Sequence, residues 1–65
     1  MPNKLTIGDR LIAARGQRRR EVVAAAVGIS ASAISMYENN DRVPRDEIKV
    51  KLADYFGMSV QELFF

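Results

Sequence analysis

With 65 residues, the chain makes one domain near the lower size at which a single core is stable without a covalent or metal staple. It has no cysteine and no histidine, which excludes disulfides, thiolate metal sites, the usual zinc ligand sets and nucleophile–histidine systems, so neither an enzyme nor a metal site is expected. The formal net charge of +2 hides a polarity: up to Arg20, the cations Lys4, Arg10, Arg15, Arg18, Arg19 and Arg20 meet only Asp9, whereas carboxylates outnumber cations in the remainder.

No apolar run approaches the roughly 18 residues of a membrane span. The opening MPNKLTIGDR lacks a hydrophobic segment of signal-peptide type, and a cytoplasmic location is expected. Residues Met1 to Lys4 show no apolar periodicity and read as a flexible arm. Thr6 followed by Asp9 forms a capping-box pattern, opening a first helix from about Ile7 to Arg15 with Ile7, Leu11 and Ala14 facing inward. Gly16 ends it.

A second helix is expected from about Arg20 to Val27, with Val23, Ala24 and Val27 on its inner face. The run Arg18-Arg19-Arg20 places cations at a helix N-terminus, against the macrodipole. Two explanations stand: contact with phosphates, or an ordinary solvated charge run. In the stretch REVVAAAVGISASAISMY, Ala24, Ala25 and Ala26 keep the second helix thin, Gly28 permits a sharp turn, and Ser30 caps a third helix ending near Tyr37 or Glu38. This pattern fits a helix-turn-helix; the alternative is an ordinary αα-hairpin of a small bundle.

Ile34 and Tyr37 are inward positions of the third helix, leaving Ala31, Ser32, Ser35 and Met36 pointing largely outward. A small, uncharged outer face suits contact with a partner better than contact with water; an Ala/Ser-rich helix without a partner is the alternative. Asn40 is a candidate for left-handed backbone, and Pro44 keeps Val43 out of the α region. A fourth helix from Arg45 or Asp46 to Phe56 buries Ile48, Leu52, Ala53 and Phe56, and Gly57 ends it. Ser59 with Glu62 opens a last short helix carrying Val60 and Leu63. Of Phe64 and Phe65, one is expected to complete the core; the other either tucks into the same monomer or meets a second subunit. The expected architecture is all-α, five helices in a single domain spanning residues 1–65.

The segments IGDRL, VAAAVGISASAISMYENN and RVPRDEIKVKLADYFGMSVQELFF, in that order over about residues 5–65, resemble the lambda-repressor-like, Cro-type (XRE) helix-turn-helix DNA-binding domains. Within that family the chain looks most like short repressors of phages and mobile elements. The resemblance implies a regulator, in most such cases a repressor, that binds a double-stranded DNA operator without a cofactor. The third helix would then lie in the major groove with Ala31, Ser32, Ser35 and Met36 toward base edges. These are weak base readers beside Arg or Gln, which leaves room for readout of DNA shape.

By the same resemblance Arg20, Arg19, Ser30, Asn39 and Arg42 approach phosphates, and Arg18 joins them through the arginine run. Arg19 stands where a Ser or Thr cap is common, a loss of about 0.5–2 kcal/mol. Arg15 and Glu38 match a structural ion pair. A homodimer is expected at least on DNA. The competing function is a protein-interaction module, an antitoxin or adaptor on the same fold, for which the arginine cluster has no use.

Overall fold

Side-chain caps mark where three of the described helices begin. The computed structural model describes residues 6–65 and contains α1 (Ile7–Arg15), α2 (Arg20–Val27), α3 (Ala31–Glu38), α4 (Asp46–Phe56) and α5 (Val60–Phe64). The arm expected at Met1 to Lys4 lies outside the described residues. Thr6 Oγ1 accepts from the Asp9 N–H at 3.1 Å, while the Asp9 carboxylate accepts from the Thr6 N–H at 3.2 Å. Ser59 and Glu62 repeat this reciprocal box before α5, at 3.0 and 2.8 Å. Ser30 Oγ accepts from the Ala33 N–H at 3.0 Å and opens α3. By contrast α2, behind Arg19, starts without a side-chain cap, as expected from the residue there.

Two glycines act for opposite reasons. Gly28 lies at φ +84°, with open space where a Cβ would stand, so its demand is conformational. The Ala24 carbonyl accepts from the N–H groups of both Gly28 and Ile29, at 2.8 and 2.9 Å, and the chain turns sharply into α3. Gly8 is a matter of space: a Cβ there would overlap the backbone carbonyl of Glu38 and stand 2.9 Å from Asn40 Nδ2. Its N–H donates to Asn40 Oδ1 at 3.0 Å, and Asn40 Nδ2 donates to Thr6 Oγ1 at 3.1 Å. Asn40 adopts the expected left-handed backbone, φ +62°. The start of α1 is thereby fastened to the turn that leaves α3.

The principal helix contacts form a closed ring: α1 on α3, α3 on α2, α2 on α4, α4 on α5 and α5 on α1. Every helix contributes to the interior. Leu11, Val23, Ala24, Val27, Ile34, Tyr37, Leu52, Ala53, Leu63 and Phe64 are buried together. Burial of each larger apolar side chain stabilises by about 1.5–3 kcal/mol, and helices this short depend on it. The expected inward residues Ile7, Ala14, Ile48, Phe56 and Val60 are only partly buried, at the margin of this core. Ala25 and Ala26 face solvent, so Ala24 alone thins the inner side of α2.

The two terminal aromatics part company. Phe64 is 3 % exposed and completes the core, whereas Phe65 is 73 % exposed. The arrangement with both tucked inside is therefore excluded. Lys49 Nζ lies 5.7 Å from the Phe64 ring centre and 5.1 Å from that of Phe65, a cation–π contact that ties α4 to the end of α5. No helix among the described residues is long and apolar enough to cross a membrane.

The contact at Gly8 is tight because backbone, not a flexible side-chain end, opposes the missing Cβ. Gly8→Ala should therefore destabilise the fold by about 1–3 kcal/mol, despite alanine being the better helix former. Urea denaturation followed by circular dichroism checks this; an unchanged midpoint would show that α1 moves aside at no cost.

Candidate nucleic-acid interface

Glu38, the last residue of α3, is the one buried charged residue among those described; its side chain is 2 % exposed. A carboxylate withdrawn from water needs donors, and α1 and α2 each deliver an arginine. Arg15 donates from Nε to Glu38 Oε2 at 2.6 Å and from Nη2 to Oε1 at 3.2 Å, the planar fork that suits a carboxylate. Its Nη1 donates to the Arg18 carbonyl at 2.8 Å, so all three nitrogens are engaged. Arg20 donates from Nε to Glu38 Oε1 at 3.0 Å.

The hydrogen bond to Glu38 raises the Arg15 pKa above its ordinary value; burial opposes this, and the charges of Glu38 and Glu21 add to the rise. A raised arginine pKa contributes stability that is fully present below the unfolded value and is lost only at still more alkaline pH. Around neutrality Arg15 therefore stays charged and adds no pH dependence. The expected Arg15–Glu38 pair is present, with Arg20 as an unexpected third member. Two cations on one carboxylate leave one positive charge in excess, and it lies on the outer side: the Arg20 side chain is 47 % exposed, that of Arg15 16 %.

The three arginines of the run Arg18-Arg19-Arg20 turn to different partners instead of forming one cluster. Arg18 donates from Nη1 to the Ala14 carbonyl at 3.1 Å, and its guanidinium lies 5.6 and 5.7 Å from the ring centres of Tyr55 and Phe56 near the end of α4. This cation–π packing joins the α1–α2 connection to α4 and turns the Arg18 head toward the domain's own aromatics. Arg19, 79 % exposed, has its Nε 3.8 Å from Glu21 Oε1, a solvent-screened pair of little energetic weight. Arg20 reaches Glu38. The cations that oppose the α2 macrodipole thus have local carboxylate or aromatic partners, an explanation that neither reading of the bare run contained.

On α3, Ser32 is exposed, while Ser35 and Met36 are half-buried. Ala31 is also half-buried and leans on the core, so it faces outward less than expected. Beyond α3 the Met36 carbonyl accepts from the N–H groups of Asp41 and Arg42 at 2.9 and 3.4 Å. That turn keeps the exposed residues Asn39 and Arg42 beside the C-terminal end of the helix. The resulting surface has an uncharged helix face, with Ser30 at its N-terminal end and both the uncapped start of α2, tied through Arg20 to Glu38, and Arg42 at its C-terminal end. No cluster of carboxylates fit for a metal ion and no pocket occur among the described residues.

Helical periodicity does not reveal the Arg20–Glu38 link, the Asn40 bridge or the role of Gly8. Gly8 alone leaves a local trace, since glycine inside a helix costs about 0.5–1 kcal/mol relative to alanine.

This arrangement of helices is shared with known structures. A crystal structure of the P22 c2 repressor protein in complex with synthetic operator 9T in the presence of Tl+ superposes with a TM-score of 0.90 at 27 % identity, over 94 % of this chain and 96 % of that one. The nuclear magnetic resonance structure of the DNA-binding domain of the P22 c2 repressor matches with a TM-score of 0.88 at 28 % identity, over 95 % of this chain and 84 % of that one. No curated protein matches at a significant level. The family model described as Helix-turn-helix matches residues 11–63, and the chain belongs to that helix-turn-helix family, in its lambda-repressor-like, XRE-type branch.

Proposed function

We propose that this protein is a sequence-specific, double-stranded-DNA-binding transcriptional repressor that lays α3 in the major groove of its operator. The observation that carries this is the close fit, over nearly the whole chain, to a repressor held on operator DNA. The surface supports it: α3 keeps a small, uncharged outer face with the exposed cations Arg20 and Arg42 beside its C-terminal end, which suits a helix pressed into a groove with cations near phosphates.

In this reading Ser32, Ser35, Met36 and the partly withdrawn Ala31 face the bases. Met36 and Ala31 meet thymine methyl groups, and the serine hydroxyls donate or accept at several base edges. Arg19, Arg20 and Arg42, with Asn39 and Ser30, contact the sugar-phosphate backbone. Arg18, held on Tyr55 and Phe56, adds to the positive field at longer range. Small base-facing side chains discriminate less than bidentate ones, so part of the specificity comes from DNA shape. Two copies bind a palindromic site, and exposed Phe65 is a candidate contact between them.

Three outcomes are expected. Sites selected from random duplex DNA should contain two inverted half-sites with centres about 10–10.5 base pairs apart, one helical turn; a single unpaired half-site would exclude the two-copy arrangement. Arg42→Ala should reduce the slope of log affinity against log salt by about one, measured by fluorescence anisotropy on duplex DNA. An unchanged slope would remove Arg42 from the backbone contacts. Ser32→Ala or Met36→Ala should change the preferred sequence, by about 1–3 kcal/mol at the affected base pair, with non-specific affinity nearly preserved. A parallel drop in both kinds of binding would show that these positions do not read bases.

A further inference from the structure

The two arginines on Glu38 are used differently. Arg15 donates from all three of its nitrogens to protein acceptors and is mostly covered. Arg20 donates only from Nε, and neither terminal nitrogen has a hydrogen-bond partner among the described residues, although the side chain is nearly half exposed. A guanidinium has two usable edges at fixed angles. Binding Nε to a carboxylate that is itself immobile sets the direction of the outer edge. Glu38 is held: it is buried at the end of α3, and Arg15 donates to both of its oxygens. Gly8 and Asn40 clamp the adjoining backbone.

We infer that Glu38 is a positioning residue for DNA binding, holding the Arg20 guanidinium side-on so that its outer N–H groups meet a backbone phosphate at the start of α2. This rests on the DNA-binding role proposed above. An arginine on the surface ordinarily loses considerable side-chain freedom when it engages a ligand. Tethering Arg20 through Nε restricts that freedom before DNA arrives, the general advantage of preorganisation. The carboxylate end of α3 and the cationic start of α2 thus become one unit, and the helix proposed to read bases is tied to a side chain that fixes its depth in the groove.

The sign of one substitution separates this role from simple electrostatics. Glu38→Gln removes a negative charge, so long-range attraction to DNA alone would strengthen binding. Positioning gives the opposite result: affinity for a mixed-sequence duplex, measured by anisotropy at fixed salt, should fall by about three- to tenfold. The same Glu38→Gln change in an Arg20→Ala background should then have no weakening effect, because the side chain it directs is gone. Circular dichroism melts keep the comparison to folded protein. Equal or tighter binding by Glu38→Gln, or an equal loss in both backgrounds, would overturn the inference.

If Glu38→Gln does not fold, Arg20→Lys on the exposed partner decides the matter. A lysine keeps the charge but has one nitrogen in place of two separated edges, so affinity should fall several-fold while the salt slope stays near that of the parent protein. Parent-like affinity would refute the two-edge role. Failure of the unsubstituted protein to bind duplex DNA in a salt-dependent manner would instead overturn the DNA-binding reading itself, and this role with it.

Discussion

A buried carboxylate with two arginines holds together three of the five helices. Glu38 closes α3, Arg15 closes α1 and Arg20 opens α2, so one side chain draws three helix termini to a point. Leaving that carboxylate unpaired would cost several kcal/mol, whereas the net contribution of the complete group relative to an apolar replacement is small. Its importance therefore lies in geometry: α1, α2 and α3 meet in one register because any other leaves a buried charge without donors. The backbone follows the same constraint. Gly8 lets α1 approach the Glu38 carbonyl, and Asn40 bridges the exit of α3 to the start of α1.

This junction also accounts for how a 65-residue chain keeps a defined surface without a disulfide. The core draws on every described helix, and helices this short are stable only through mutual packing. Closure of the helices into a ring spreads that dependence evenly. In addition, Arg18 on Tyr55 and Phe56 and Lys49 beside Phe64 and Phe65 use cations to cover aromatic rings at the ends of α4 and α5. Charges that look like surface decoration in the composition thus have packing roles in the fold.

For function, the consequence is a division of labour. The turn at Gly28 and the cap at Ser30 set the angle and start of α3, while the Glu38 junction sets its far end. A helix fixed at both ends presents Ser32 and Met36 in one orientation, as the base-facing role proposed above requires.

The helix limits were legible in the sequence, because Thr6 with Asp9, Ser59 with Glu62, Ser30 and Gly28 act on backbone groups within a few residues of themselves. Likewise the apolar positions Leu11, Val23, Val27, Ile34 and Leu52 follow from helical spacing, which is a local property. The resemblance to a helix-turn-helix family supplied the Arg15–Glu38 pair. What only the tertiary structure decided is which residues meet across those helices: that Arg20 turns to Glu38 while Arg18 turns to Tyr55 and Phe56, that Ala31 leans on the core, that Phe64 enters it and Phe65 does not, and that Gly8 is required by a carbonyl about thirty residues away in the chain. Three adjacent arginines are chemically identical in the sequence. Their different roles arise because α2 begins among them, so neighbouring side chains project in different directions toward elements that only folding brings near.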